Sequence, residues 1–285
     1  MAKTRIASIK KEVIIGHGLP TVLIGERINP AGKKKMADAL RAGNLDIICA
    51  EALSQVNAGA DIIDIAVGTF GVDEKDLLPK AVQAVMRTVD VPLCFDSAKP
   101  EALKTALKVY QGKALINSVN GGAKSLDYVL PLVKEYGAAV IGLTQDEQGI
   151  PADPDRRVVI AQKIIERAEG MGIPREEIII DCLASAVGAD QGSGLITLET
   201  IRKVKATIGV NITLGASNVS FGMPGRDLIN NAFISAAISA GATSLIVDAS
   251  KAHTAILAMD FILGQDQRAR RYTENYRTTH KKKLQ

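Results

Sequence analysis

A single (β/α)8 barrel is the fold this sequence predicts, and three observations predict it. Eight short apolar runs recur along the chain, each followed by an amphipathic stretch of helical period. Their apolar halves are near-continuous rather than alternating, as in strands buried on both faces. The length, 285 residues, is typical of one such barrel. An open doubly wound sheet is the competing arrangement, but eight strand–helix pairs in a chain of this length fit closure better.

The strand candidates, in order, are residues 21–29 (TVLIGERIN), 60–68 (ADIIDIAVG), 91–98 (VPLCFDSA), 114–121 (ALINSVNG), 138–144 (AAVIGLT), 178–184 (IIIDCLA), 210–218 (VNITLGASN) and 244–250 (SLIVDAS). Between them lie helical patterns such as LDIICAEALSQVNAG, PEALKTALKVYQG, SLDYVLPLVKEYG and RRVVIAQKIIERAEGMG. Several end in Gly, the residue that tolerates the left-handed turn closing a helix, and Pro100 fits a first helical turn. Ahead of the first strand, RIASI and EVIIG are expected to form a short hairpin within residues 1–20, capping the barrel bottom. No linker or low-complexity segment interrupts the ladder, so residues 1–285 are expected to form one domain, with a basic C-terminal tail over about residues 265–285.

Composition narrows the function classes. Hydrophobic residues make up 47% and charged residues 23%, enough apolar material for a large core without disulfides or metal. The net charge of +4 is scattered, much of it at KKK (residues 33–35) and in the C-terminal RARRYTENYRTTHKKKLQ, and does not argue for nucleic acid. Cys49, Cys94 and Cys182 are far apart and form neither a CxxC nor a Cys/His spacing, so no zinc or iron–sulfur site and no disulfide framework is expected. The N-terminus lacks the apolar core of a signal peptide, and no apolar run reaches membrane-spanning length, so a cytoplasmic location is expected.

Barrels of this type carry their chemistry at the C-terminal ends of the strands. Those ends read Glu26 and Asn29; Asp64; Asp96 and Ser97; Asn117 and Asn120; Thr144 and Gln145; Asp181; Ser217 and Asn218; and Asp248. There is no His, no Ser/His/Asp set and no Schiff-base lysine among them. Carboxylates accept paired hydrogen bonds and amides both donate and accept, a set suited to orienting a polar heterocycle rather than attacking it. A fused ring with a 2-amino group and a lactam, such as a pterin, is that kind of ligand. Purely structural roles compete at some positions: Asp248 as a helix cap, Glu26–Arg27 as an ion pair at the mouth, Asp64 as a loop brace. Asp96, Asn117 and Asp181 end their runs at one topological depth, where an unpartnered polar group is costly to bury, and a ligand explains them better.

The motifs LIGERIN, LCFDS, LINSVN, GLT, IIIDCL and GASNVSFG, in this order over residues 20–262, resemble the methyltetrahydrofolate-dependent corrinoid methyltransferases. That family includes the folate domain of cobalamin-dependent methionine synthase and the methyltransferase of the corrinoid iron–sulfur protein. The resemblance implies a pterin-binding TIM barrel that moves a methyl group between N5 of tetrahydrofolate and the cobalt of a corrinoid (cobalamin). Position by position it implies that Asp96, Asn117 and Asp181 bind the pterin edge and that Asn218 is the amide near N5. Asn120, Ser217, Gly215, Glu26, Asp64 and Arg226 complete the expected substrate-binding set, Gly215 by letting a flat ring approach. One departure is Ala66, where the family commonly carries an Asn two residues after the Asp.

An amide near N5 can stabilise the positive character that a departing tertiary amine needs, and cobalt serves as nucleophile, so the barrel needs none of its own. None of His17, His253 and His280 lies in an Asp-x-His-x-x-Gly signature, so the corrinoid is expected on a separate partner protein docked over the mouth, with no protein-bound metal here. Homodimerisation is implied by the resemblance alone. Two rival readings stay open: a dihydropteroate synthase, to which Lys251 and His253 give a partial likeness, and a non-catalytic folate-binding component of a corrinoid complex.

Overall fold

The computed structural model describes residues 2–283, with side chains through residue 278; the ends of the expected single domain and basic tail, Met1 and residues 284–285, lie outside the described residues. Two short strands, β1 (Lys3–Ala7) and β2 (Glu12–Gly16), pair antiparallel. Eight parallel strands follow: β3 (Val22–Ile28), β4 (Ile62–Ala66), β5 (Leu93–Asp96), β6 (Leu115–Asn120), β7 (Ala139–Leu143), β8 (Ile178–Asp181), β9 (Asn211–Thr213) and β10 (Ser244–Val247). The order runs β10-β3-β4-β5-β6-β7-β8-β9. The last seam is nearly closed: Thr243 N–H donates to the Ile212 carbonyl at 2.9 Å and Ile246 N–H to Leu214 at 3.0 Å. The expected barrel is therefore present.

The helices are α1 (Lys34–Arg41), α2 (Asp46–Asn57), α3 (Glu74–Thr88), α4 (Pro100–Val109), α5 (Ala123–Tyr136), α6 (Pro154–Gly170), α7 (Ser193–Thr207), α8 (Arg226–Ala240), α9 (Ala249–Ile262) and α10 (Arg270–Lys283). Two of them, α1 and α2, share the crossover after β3, and α10 occupies most of the segment expected as a tail. Asp73, Asp153 and Asp248 each accept a backbone N–H in the first turn of α3, α6 and α9. Gly137 ends α5 at φ 60°, the left-handed conformation a side chain would disfavour. Among the described residues no helix is long and apolar enough to cross a membrane.

Two apolar clusters hold these layers. The larger lies between strands and helices; the smaller fills the barrel interior with Ile24, Ile62, Cys94, Leu115, Ile141, Ile179 and Ile246. Ile6, Val13 and Ile15 of the hairpin join the smaller cluster, so β1–β2 plugs the end where the strands begin. Each fully buried Ile or Leu contributes about 1.5–3 kcal/mol relative to exposure. The hairpin is also tied polar-side: Asn211 Nδ2 donates to the Ile15 carbonyl and to Thr4 Oγ1, both at 2.9 Å.

Strand side chains alternate faces, so two residues beyond each inward apolar residue another side chain points inward. Those residues are Glu26 after Ile24, Asp64 after Ile62, Asp96 after Cys94, Asn117 after Leu115, Leu143 after Ile141, Asp181 after Ile179 and Asp248 after Ile246. The interior thus changes from apolar to polar within one strand step. The register puts Ala66 beside Asp96 and Asp96 beside Asn117 across β4, β5 and β6.

Candidate active site

Above that step opens a cavity of about 500 Å3. Nine of the ten residues singled out from the sequence line it: Glu26, Asp64, Asp96, Asn117, Asp181, Gly215, Ser217, Asn218 and Arg226. Asn120 stands apart. Its Oδ1 accepts the Gly122 N–H at 2.8 Å and its own N–H donates to Ser125 Oγ at 3.0 Å, so it shapes the entry to α5. A register shift between Asn117 and Val119 sets Asn120 beside Leu143 of β7, yet its side chain is engaged at the start of α5 and does not reach the cavity. Ala66 is buried and does not reach the cavity, so this chain offers no polar contact at that position.

The floor is acidic. Asp64 is 4% exposed, and burial, reinforced by the neighbouring Asp96 charge, holds its carboxyl well above the usual range. Asn117 Nδ2 donates to Asp64 Oδ1 at 3.4 Å, and the buried Cys94 thiol lies against the same carboxyl. Burial, then repulsion from Glu74, pushes Asp96 up to about 6. Glu74 comes from the first turn of α3; Ser97 Oγ donates to its Oε2 at 2.6 Å, and Lys99 Nζ stands 3.0 Å from Oε1.

Asp181 is buried at the end of β8, and burial carries its carboxyl to about 7 against the opposing pull of backbone N–H groups and Arg157. Leu183 N–H donates to its Oδ1 at 2.7 Å. Arg157 of α6 sets that loop: it donates to the carbonyls of Pro151, Cys182 and Leu183 at 2.8, 2.7 and 2.9 Å. Sequence reading passed over Arg157 as one charge of an amphipathic helix. Its adjacent twin, Arg156, pairs with Asp146 at the surface, and nothing local distinguishes the two.

The opposite wall is a built turn. β9 leaves the sheet after Thr213 and coils into a 3-10 turn, Ala216–Ser220. Ser217 Oγ donates to Glu26 Oε1 at 2.8 Å, tying the turn to β3. Arg226 holds the turn from the other side, donating to Ser220 Oγ and to the Ser217 carbonyl, both at 2.9 Å. Burial raises the Glu26 carboxyl, and the Ser217 hydrogen bond opposes that rise. Asn218 is exposed to the cavity, and a Cβ on Gly215 would stand 3.1 Å from its Nδ2. Glycine therefore leaves the amide its place. The Asn218 side chain makes no hydrogen bond to the described residues, which leaves its donor and acceptor for a ligand.

The structural readings resolve individually. Glu26 and Arg27 both line the cavity but form no ion pair: Glu26 accepts from Ser217, and Arg27 meets Glu51 at 3.4 Å and Asp248 at 3.8 Å. Asp248 does cap α9, accepting Ser250 N–H at 3.1 Å, and it also lines the cavity. Lys33, counted from the sequence only as part of the basic KKK run, folds back into the mouth and donates to the Arg27 carbonyl at 2.7 Å. Asn230 and Asn231 also line the cavity and were missed, because they sit on a helix rather than at strand ends; Lys251, noted from the sequence only for the synthase reading, lines it as well. Among the described residues no group of three His, Cys, Asp or Glu is placed to hold a metal ion.

Comparison with known proteins agrees with this geometry. The profile of the family described as "Pterin binding enzyme" matches residues 25–248. The chain is 32% identical over 266 residues to a methylcorrinoid:tetrahydrofolate methyltransferase of Eubacterium limosum, covering 90% of this chain and 96% of that protein. It is 34% identical over 250 residues to a methionine synthase of Mycobacterium leprae, a match over 81% of this chain that spans only 20% of that longer protein. Among solved structures, a dihydropteroate synthase of Xanthomonas albilineans superposes with a TM-score of 0.71 at 19% identity, over 91% of this chain and 98% of that one. One of Yersinia pestis superposes at 0.70 and 16% identity, over 92% and 100%. At such identities these structures speak for the barrel alone. The resemblance carried by the strand-end motifs is borne out.

Proposed function

We propose, starting from the fact that the chain belongs to the pterin-binding enzyme family, that it is a methyltransferase moving a methyl group between N5 of tetrahydrofolate and the cobalt of a corrinoid held by a separate protein. The observation that carries the reading is the unengaged Asn218 amide set over a floor of Asp96, Asn117 and Asp181. A pterin presents N–H groups along its pyrimidine edge, and buried carboxylates and an amide satisfy them. The similarity to a methylcorrinoid:tetrahydrofolate methyltransferase over nearly the whole of both chains supports the choice of reaction.

The chain's own contribution is to bind, orient and stabilise charge. When the methyl leaves tetrahydrofolate, the C–N5 bond breaks, its electron pair stays on N5, and N5 takes a proton; the reverse transfer gives that proton up. Asn218 can accept a hydrogen bond from protonated N5 through its oxygen, favouring the charged nitrogen in both directions. Glu26 and Arg226, expected to touch substrate, act here as positioning residues, fixing the Asn218 turn from both sides. The corrinoid, a co-substrate brought by the partner, supplies the cobalt that gives or takes the methyl group.

Phe70, Phe221 and Leu228, 95%, 70% and 79% exposed on loops and a helix start at the mouth, offer that partner an apolar rim. Docking there closes the cavity to water. In this reading residues 1–285 work as one domain, in the cytoplasm and as a homodimer, a state that light scattering checks.

A dihydropteroate synthase would need its late lysine and histidine together at the mouth. Lys251 lines the cavity, but the His253 ring packs against Gly59 behind the barrel wall. The deciding experiment is stopped-flow transfer with a purified corrinoid protein, run in both directions, on wild type and Asn218→Ala. Transfer should slow at least 100-fold in the variant while pterin affinity stays within about threefold. Product from a pterin pyrophosphate and p-aminobenzoate, or folate binding with no methyl exchange, overturns the proposal.

A further inference from the structure

One floor carboxyl is held differently from the others. Asp181 receives the Leu183 N–H, and Asp64 the Asn117 amide. Asp96, partly buried at the end of β5, receives no hydrogen bond from the described residues. Its register neighbour on β4 is Ala66, which has no polar side-chain atom to give. What stands behind Asp96 is another carboxylate, Glu74, in the first turn of α3.

Glu74 is 9% exposed and does not line the cavity. Its carboxylate rests against Gly68, just past β4, where a Cβ would lie 3.1 Å from Oε1. Ser97 Oγ donates to its Oε2 at 2.6 Å, and Lys99 Nζ lies 3.0 Å from Oε1. Ser97 Oγ also accepts the Lys99 N–H at 3.1 Å, and the Ser97 N–H donates to the Asn117 carbonyl at 3.0 Å. The residue directly after Asp96 is thus tied to α3 by its side chain and to β6 by its backbone. A neutral acceptor would hold Ser97 as well. A carboxylate in that place also sets a negative charge behind Asp96, and Coulomb repulsion opposes the ionisation of a second carboxyl there.

We propose that Glu74 is a positioning residue of this site, a charge outside the cavity that clamps the end of β5 and reserves the Asp96 carboxylate for a ligand bringing N–H donors. The proposal rests on the pterin reading above and adds the group that governs when that site takes its ligand. Without a ligand, Asp96 faces Glu74 with no donor of its own and keeps its proton up to about pH 6. When a pterin edge offers N–H groups, the ionised carboxylate gains hydrogen bonds that outweigh the repulsion, and binding releases the proton. The other charged groups around Asp96 do not take the place of Glu74. Burial keeps Asp64 and the Cys94 thiol protonated well beyond their ordinary ranges, so neither sets a full charge against Asp96 as it titrates. Glu26 acts on Asp64, and Asp181 stands three strands away with the Leu183 N–H as its partner. Lys99 opposes Glu74: its ammonium on Oε1 weakens the field that reaches Asp96.

The test needs no corrinoid protein. Titrate methyltetrahydrofolate into wild type, Glu74→Gln, Ser97→Ala and Lys99→Met from pH 5 to 8, and follow the Asp96 carboxyl of the ligand-free proteins by carbon NMR. Glu74→Gln keeps an acceptor for Ser97 and removes the charge. It should bind several-fold tighter than wild type at pH 5 and within about twofold of it at pH 8, with the Asp96 resonance titrating at lower pH. Lys99→Met should do the reverse, binding several-fold weaker near pH 6 and moving the resonance to higher pH. Ser97→Ala keeps the charge and loses the clamp, so it should weaken binding by a similar factor at every pH. Superimposable pH profiles for wild type and Glu74→Gln, or an unmoved Asp96 resonance, overturn the proposal. So does a Glu74→Gln loss of equal size at every pH, which marks a structural brace alone. If the resonance moves but wild type binds no tetrahydropterin at any pH, the pterin reading itself fails and takes this proposal with it.

Discussion

Replacing Asp181 by Asn should make the free protein more stable at pH 8 while removing most of its pterin affinity. The carboxyl sits buried at the end of β8 and titrates near 7 rather than at its ordinary value of 3.8. Its folded pKa is raised, so the proton it holds stabilises the fold. That contribution is complete below the unfolded pKa and is lost as pH rises from about 4 through about 7. Each pKa step is worth 1.36 kcal/mol, so the ionised carboxylate costs the folded state at most about 4 kcal/mol above pH 7. Asn cannot ionise, and its oxygen still accepts the Leu183 N–H that Asp181 accepts at 2.7 Å. Imperfect replacement of the other contacts leaves a net gain of about 1–3 kcal/mol. In a chain of 285 residues that is a rise of roughly 2–6 °C in Tm.

The assay is a pair of thermal or urea unfolding series from pH 5 to 8. Wild type should lose stability relative to the variant as the pH climbs. Pterin binding, followed by calorimetry, should weaken about 100-fold in Asp181→Asn, because the paired acceptor becomes half donor. A variant less stable than wild type at pH 8, or pH slopes that coincide, would refute the idea that Asp181 is a strained carboxylate kept for a ligand.

Pterin affinity should fall as pH drops from 8 to 5, because Asp96 near 6 and Asp181 near 7 must shed protons to accept two N–H donors; protons should be released on binding near pH 6.5, and net uptake contradicts the assignment. Arg157→Met should cost about 2–4 kcal/mol in urea unfolding, since three carbonyls lose their buried donor, and an effect under 1 kcal/mol removes Arg157 from the support of the Asp181 loop. Arg226→Met should lower kcat for methyl transfer more than tenfold with KM for the folate moved less than threefold; a loss confined to KM makes Arg226 a substrate contact instead. Phe70→Ser should raise KM for the corrinoid protein several-fold and leave the folate Kd unchanged, and the reverse pattern argues against docking at the rim.

What could be read from the sequence was what alternation and strand ends control. An apolar run that closes in a polar residue reports both a buried strand and the depth at which it opens. Ile62 to Asp64, Cys94 to Asp96, Leu115 to Asn117 and Ile179 to Asp181 repeat that pattern around the barrel. Asn120 shows its limit. It too closes a run, but the strand shifts register between Asn117 and Val119, and the Asn120 side-chain oxygen accepts the Gly122 N–H instead of meeting the cavity. Lys33 and Arg157 were not legible for a different reason. Each is one of several like residues in its stretch, and only the return of a loop or the rotation of a helix selects it: Lys33 from KKK, Arg157 beside Arg156.

The acidic floor also explains why the seventh strand ends as it does. Three raised carboxyls, Asp64, Asp96 and Asp181, line one chamber; burial is the main cause at each, Asp64 also feels the Asp96 charge, and the cost of ionising them is relieved when a ligand brings N–H groups. A positively charged side chain among them would relieve it permanently and leave less for the ligand to do. The cations stay on the mouth instead: Arg226 braces the turn, and Lys33 turns back to a carbonyl. Asn218 is the neutral group between the two zones. Its amide can accept from a protonated ring nitrogen without binding that proton itself, which a carboxylate at the same place would do. Asn218→Asp tests the point. A fixed negative charge holds the proton on N5, which helps the departing amine and ties up the lone pair an accepting tetrahydrofolate needs, so transfer from methyltetrahydrofolate should gain on transfer to tetrahydrofolate, shifting the ratio of the two rates at saturating ligand. An unchanged ratio would mean that Asn218 acts by shape rather than by its dipole.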